Sequence, residues 1–247
     1  MITVILNGYR RPHVLKKQYE ALKAQTFDGV DDIMLWCNYH EDSFSKYPKE
    51  VVDNCTTAFC NKNLGVWARF AYALNSFSKY ICVVDDDTVP GSKWLQNCVD
   101  TMKTHRGLLG CRGVRMIGND YRNYPSCQYE SFGASNPNEN VEAVDIMGHC
   151  WFFEREWLRA YWVECPSSPL GRGGEDMHMS YAVQKHFGLH TYVPPHPKDD
   201  KEMWGSLNPT EHGEDMVATS RTGEGHQQAH AYWNYIINQG YTLVKDR

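Results

Sequence analysis

Tyr80-Ile81-Cys82-Val83-Val84-Asp85-Asp86-Asp87-Thr88-Val89-Pro90-Gly91 runs from a short apolar segment through three consecutive carboxylates into a Pro-Gly turn. A run apolar at every position reads as a strand covered on both faces, the kind found in parallel α/β sheets. In such sheets ligands bind beyond the C-terminal ends of the strands, where Asp85, Asp86 and Asp87 stand. Three adjacent carboxylates repel one another unless a cation or a basic group neutralises them. Mg²⁺ and Mn²⁺ suit this chemistry, because they prefer carboxylate oxygens, water and substrate phosphates. Strand alternation sends Asp85 and Asp87 to one side and Asp86 to the other. The competing reading is a solvated acidic turn, since Asp is common in turns.

Outward from this strand the same grammar repeats. Residues 2–6 form an apolar first strand, and Pro12 opens a helix with Leu15, Tyr19 and Leu22 on one face. Further strands are expected at 33–37 and 56–60. After Asn63-Leu64-Gly65, the positions of Val66, Phe70, Ala73, Leu74 and Phe77 predict the clearest helix of the chain. Ser92 is expected to cap a helix carrying Trp94, Leu95, Cys98, Val99 and Met102. Alternation of this kind predicts βαβ units around a largely parallel sheet.

The second half is less regular. Residues 111–135 read as loops and edge strands, 144–153 as an apolar strand containing Gly148 and His149, and 154–161 as a helix. A Pro/Gly-rich loop over 166–174 leads into Glu175-Asp176 and a helix through Phe187, closed by Gly188. A short strand at Thr191–Val193 precedes a long polar stretch, 194–226, of the length that is usually functional or mobile. The last helix places Ala229, Trp233, Ile236 and Ile237 together before Gly240.

A chain of 247 residues suits one α/β unit or two fused sub-domains. Its net charge of −5 disfavours general binding to a phosphate backbone. No apolar run approaches the ~18 residues of a membrane span, and the apolar start is too short for a signal-peptide core. A cytoplasmic location is therefore expected. Nine cysteines without a Cys-x-x-Cys pair read as reduced, mostly buried thiols.

Two further segments carry chemistry. Gly171-Arg172-Gly173-Gly174-Glu175-Asp176 sets carboxylates at a helix start, behind glycines that allow a ligand to approach. The macrodipole alone explains acidic residues there, but a carboxylate so held also suits a general base. Asn7-Gly8-Tyr9-Arg10-Arg11-Pro12 offers amides, an aromatic ring for a base and guanidinium groups for phosphate. Neither Gly-x-Gly-x-x-Gly nor the Walker lysine motif is present.

Taken in order, Tyr9-Arg10-Arg11-Pro12, Asn63-Leu64-Gly65-Val66-Trp67-Ala68-Arg69, Val84-Asp85-Asp86-Asp87, Gly148 in an apolar strand and Gly174-Glu175-Asp176 resemble the GT-A glycosyltransferases. The likeness is strongest to the family-2-like inverting enzymes, with an aspartate-x-aspartate motif and a later Glu-Asp pair. That resemblance implies a GT-A fold: a Rossmann-like, mostly parallel sheet flanked by helices, with a smaller acceptor-side mixed sheet. It implies a nucleotide-sugar-binding half over 1–110 and an acceptor-binding, catalytic half over 111–247. Asp176, with Glu175 beside it, matches the base. Asp87 matches a ligand of Mn²⁺ or Mg²⁺, Asp85 faces the metal and the donor sugar or ribose, and His196 is favoured over His212 and His226 to complete the metal shell. Asn7, Tyr9, Arg10, Arg11, Asn38, Asn63, Gly65, Arg69, Asp85 and Asp86 are the expected contacts to a UDP- or GDP-linked donor. Asn38 stands where many relatives carry a base-binding Asp. The acceptor is expected to be a hydroxyl, chiefly on a glycan, with a nucleic acid disfavoured. Inversion with Asp176 as base follows, with the stretch 194–226 closing over the donor. A sugar-nucleotide nucleotidyltransferase, a magnesium-dependent phosphohydrolase and a non-catalytic nucleotide- or carbohydrate-binding module are the alternatives.

Overall fold

The computed structural model describes residues 1–164, 173–208 and 223–247. The strands are β1 (Ile2–Gly8), β2 (Val30–Cys37), β3 (Thr56–Phe59), β4 (Tyr80–Val84), β5 (Leu108–Met116), β6 (Tyr129–Gly133), β7 (Glu142–Val144), β8 (Ile146–Glu154) and β9 (Thr191–Val193). The helices are α1 (Pro12–Lys23), α2 (Lys49–Asn54), α3 (Ala68–Tyr72), α4 (Trp94–Thr104), α5 (Leu158–Val163), α6 (Glu175–Phe187) and α7 (Gly223–Asn238).

All strands join one sheet in the order β3-β2-β1-β4-β8-β5-β9-β7, with β6 paired to β5. The pairs β1–β2, β1–β4 and β2–β3 are parallel, so the C-terminal ends of β1, β2 and β4 open on one edge of the sheet. At β4 the direction reverses: β8 runs antiparallel to it, pairing Val84 with Cys150. The turn after β1, the Asp triplet after β4 and the Gly148-His149 segment of β8 are thereby brought together, because an antiparallel neighbour returns its middle to the ligand-binding edge. Val4, Ile5, Leu6, Val83, Val84, Phe152 and Phe153 are fully buried. Each such side chain contributes roughly 1.5–3 kcal/mol over its exposed state. A second cluster, with Met177, Tyr181, Tyr232, Trp233 and Ile236, packs α7 against α6.

Several expectations are corrected. The helix expected after Gly65 shortens to α3 and a 3₁₀ turn at Ala73–Asn75, leaving Phe77 95% exposed although Phe70 and Ala73 are buried. Ser76 ends it: its hydroxyl donates to Thr3 Oγ1 at 2.7 Å and accepts the Ser78 amide at 3.1 Å, bonds available only outside a helix. The region expected as loops and edge strands holds most of β5, which is bonded on both sides. Its apolar pattern is interrupted by Gly113, where a Cβ would come within 2.7 Å of Val144 and Val193. Glycine there makes room for neighbouring side chains, and so hides a central strand. Ser92 does not cap α4; its amide donates to Glu202 Oε2 at 2.9 Å, and that of Lys93 to the Glu202 carbonyl at 2.8 Å.

The apolar run 144–153 is two strands, split at Asp145, which is fully buried. Its carboxylate accepts the amides of Met116 and Val244, both at 2.8 Å, and ties the C-terminal tail to the sheet. The eight described cysteines are free thiols, and burial pushes Cys37 up to about 12. Among the described residues no helix is long and apolar enough to cross a membrane. His212, Gly171 and Arg172 lie outside the described residues, as does part of 194–226.

Candidate active site

The wall after β1 and β2 is built from amides. Asn38 is 5% exposed, with its Nδ2 donating to Asn63 Oδ1 at 2.9 Å and its Oδ1 accepting the Leu64 amide at 3.0 Å. Asn63 in turn accepts the Gly65 amide at 2.8 Å and donates to the Tyr9 hydroxyl at 2.9 Å. Gly65 takes φ 74°, a left-handed turn that suits glycine. Asn38 and Asn63 therefore hold Tyr9 from behind, and Asn38 supports the wall instead of presenting a free amide to a base. Asn7 sits half-buried near the end of β1. Tyr9 meets His40 edge-on at 5.4 Å, and the exposed Arg10 guanidinium stands 5.6 Å from the Tyr9 ring.

The three aspartates diverge. The chain turns at once after β4, the Thr88 amide bonding the Asp85 carbonyl at 3.1 Å, so strand alternation does not continue. Gln18 Nε2 holds this turn through the carbonyls of Asp85 and Thr88, at 2.6 and 2.7 Å. Asp86 faces the β1 turn, accepting the Arg10 amide at 3.1 Å and Arg11 Nη1 at 2.7 Å. Asp87 accepts the Thr88 hydroxyl at 3.1 Å and lies 3.5 Å from Arg11 and 3.7 Å from His149 Nδ1. Asp85 is bound by Arg69. Burial works against the charge on all three. For Asp85 and Asp86 it prevails over Arg69 and Arg11 and raises the carboxyl; for Asp87 the neighbouring His149, Arg11 and Thr88 outweigh burial and hold it at about 2.

Two expected donor contacts are corrected here. Arg69 is only 2% exposed, and its guanidinium bridges Asp85 and Glu175 Oε1, the latter at 2.8 Å, while lying 4.5 Å from the Trp151 ring. It is a buried tie between the two acidic motifs, closed to a phosphate. Arg11, 7% exposed, is spent in the same way on Asp86 and Asp87. Arg10 keeps its guanidinium exposed.

Glu175 and Asp176 occupy the first turn of α6, after Gly174 at φ 89°. A Cβ on Gly174 would meet the Tyr232 ring at 2.4 Å, so α7 packs against this turn. Asp176 Oδ1 accepts the Met177 amide at 2.8 Å. Its Oδ2 stands 4.0 Å from the point a Cβ on Gly148 would occupy, and among the described residues, chain neighbours aside, no other heavy atom comes that close. Burial raises both carboxyls, opposed at Glu175 chiefly by Arg69 and at Asp176 first by the Met177 amide and then by Arg69. A carboxyl raised by burial and aimed over a bare glycine has the attributes of a general base.

The metal shell differs from expectation. His196 is fully buried: Nδ1 pairs with the Pro194 carbonyl at 2.8 Å, Nε2 accepts the Gly205 amide at 3.1 Å, and the rings of Trp94 and Trp204 flank it. With both nitrogens engaged, it is a core histidine. His226 is exposed on α7. His149 stands beside Asp87 instead, held at φ 67° as the one described non-glycine residue with positive φ. Such backbone strain gathers at functional sites. Sequence reading saw His149 only as part of a strand; the sole hint was a Gly-His pair interrupting an apolar run. Among the described residues no cluster of three metal-ligating side chains exists. The Asp87 carboxylate and His149 imidazole nevertheless fit a Mn²⁺ or Mg²⁺ ion, which takes one or two protein ligands and leaves the rest to water and phosphate. Asp85 fits less well, since Arg69 already neutralises it.

A family model described as glycosyl transferase family 2 matches residues 3–162. No curated protein matches the sequence. Solved structures of similar fold include S. aureus TarS 1–349 in complex with UDP, at TM-score 0.54 and 14% identity over 78% of this chain and 59% of that one. TarS 1–349 alone gives 0.53 and 13%, over 80% and 61%. A further S. aureus TarS structure gives 0.52 and 12%, over 78% and 36%. The chain spans about three fifths of the TarS 1–349 structures and about a third of the third. At such identity the likeness is one of fold.

Proposed function

Because the chain belongs to glycosyl transferase family 2, we propose that it moves a sugar from a nucleoside-diphosphate donor to a hydroxyl acceptor with inversion, using Asp176 as base. The observation that carries this reading is the shared partner Arg69. It joins Asp85 at the end of β4 to Glu175 at the start of α6, the turn from which Asp176 stands over Gly148, whose chain neighbour His149 lies beside Asp87. Tyr9 offers the donor base a ring face, and the exposed Arg10 guanidinium offers its diphosphate a counter-charge. UDP is the nucleotide in the similar TarS structure, which favours a uridine donor here. A divalent ion held by Asp87 and His149 would neutralise charge on the leaving diphosphate. Asp176 takes the acceptor hydroxyl's proton as that oxygen attacks the anomeric carbon, and Glu175 keeps the first turn of α6 docked on Arg69. The acceptor is proposed to be a hydroxyl on a glycan.

The test is single-turnover transfer from radiolabelled nucleotide sugars, with transfer to water as the readout until an acceptor is found. Asp176→Asn is nearly isosteric but cannot take a proton. It should lower the rate constant by ~10² or more while UDP affinity stays within a few-fold. Glu175→Gln should do less. A near wild-type rate for Asp176→Asn, or loss of UDP binding instead, would place the base elsewhere.

A further inference from the structure

Arg112 lies on β5 directly opposite Gly148 of β8 and Gly133 of β6. Paired residues on neighbouring strands share a face, so Arg112 projects to the side on which Asp176 stands over Gly148. Neither register partner has a side chain; Gly133 is buried, while the sheet at Gly148 is only partly covered, with Asp176 the group that stands over it. The residue is half-buried, yet its guanidinium makes no hydrogen bond or ion pair with another described residue. Other arginines at partly buried sites are matched with carboxylates: Arg11 with Asp86, Arg69 with Asp85 and Glu175, Arg115 with Glu130 and Glu142. A guanidinium stays charged at any working pH and presents five donors, so without a protein partner in a partly dry site it is left to water or to a ligand that supplies the acceptors.

The surroundings fit a ligand. The Tyr124 phenol is raised by burial first and then by Asp176, with Arg112 opposing, so it is in range of both. The Tyr124 ring rests 5.8 Å from Trp233, and its carbonyl meets His230 Nδ1 of α7 at 3.0 Å. Arg112 thus offers a cationic fork on the face of the sheet where Asp176 stands, with the Tyr124 phenol within electrostatic range of both.

From this placement we infer that Arg112 and Tyr124 form an acceptor subsite for an anionic group, a phosphate or carboxylate carried by the molecule whose hydroxyl Asp176 deprotonates. The inference rests on the proposed transferase reading. A planar guanidinium takes either oxyanion through two parallel bonds, and the Tyr124 hydroxyl donates a third. The acceptor class is then an acidic or phosphorylated sugar, not a neutral glycan.

The experiment compares binding of glucose 6-phosphate, glucuronate and glucose to the full chain by calorimetry, with and without saturating UDP and Mn²⁺. Either acidic probe should bind about tenfold or more tightly than glucose, and Arg112→Gln should erase that difference while UDP affinity stays within twofold. Preference for glucose 6-phosphate identifies a phosphate acceptor, and preference for glucuronate a carboxylate one. Arg112→Lys keeps the charge without the fork and should retain part of the preference, which serves if the glutamine variant fails to fold. Equal binding of acidic and neutral probes by the wild-type chain, or a preference untouched by both substitutions, overturns the subsite. Failure of UDP to bind overturns the transferase reading separately, since the probes are also compared without it.

Discussion

Replacing Arg69 with Met tests the tie between the two acidic motifs without any ligand. The substitution removes the guanidinium that meets both Asp85 and Glu175, whose side chains are 23% and 12% exposed, and leaves two poorly solvated carboxylates facing each other. Breaking a buried pair by deleting one partner costs about 3–5 kcal/mol, because the remaining charge is uncompensated. The cost depends on pH. Burial already raises both carboxyls above their ordinary range, and Arg69 is the largest influence pulling them back. Without it their folded values rise further. A carboxyl raised on folding supplies stability below its unfolded value, near pH 4, and loses it as pH climbs through the folded value. The gap between wild type and Arg69→Met should therefore be smallest near about pH 5, where both carboxyls can hold protons, and be clearly larger near about pH 8, above the wild-type values of about 7, still growing as pH climbs toward the raised ones. Urea unfolding at the two pH values measures it. A gap under about 1 kcal/mol at the higher pH, or one of equal size at both, would refute the account of Arg69 as the charge that lets Asp85 and Glu175 be buried together.

The remaining predictions concern the donor side. Asp87→Asn and His149→Ala should each abolish the Mn²⁺-dependent part of UDP binding, read as the loss of a thermal shift that at a hundredfold excess of ligand is worth ~2.7 kcal/mol. His196→Ala should leave that metal-dependent shift in place and instead destabilise the chain by roughly 2–4 kcal/mol, since it empties a buried site and frees two polar groups. Arg10→Ala should weaken UDP binding about tenfold with the melting temperature of the apo chain unchanged, and a drop in that temperature would make the β1 turn structural.

What the sequence made legible was whatever depends on neighbours in the chain. The apolar run ending in Asp85 fixed β4 to the residue, and the glycines before Glu175 fixed the start of α6. What it hid depends on partners far away. Ser76 looks like one more helical position until Thr3, 73 residues earlier, takes its hydroxyl. Arg69 is a donor contact only by its place in the segment 63–69 that resembles the family; the fold instead gives its guanidinium two carboxylates, one of them 106 residues away. The contrast between His149 and His196 has the same cause. His196 is favoured for the metal shell because it follows the last sheet-like strand most closely, but Trp94, Trp204 and the Gly205 amide enclose it. The histidine inside an apolar strand promised burial, yet the antiparallel return of β8 along β4 delivers it to Asp87. The direction of a single strand pairing thus decides which imidazole can share a ligand with the acidic triplet, and periodicity within β8 carries no record of that pairing.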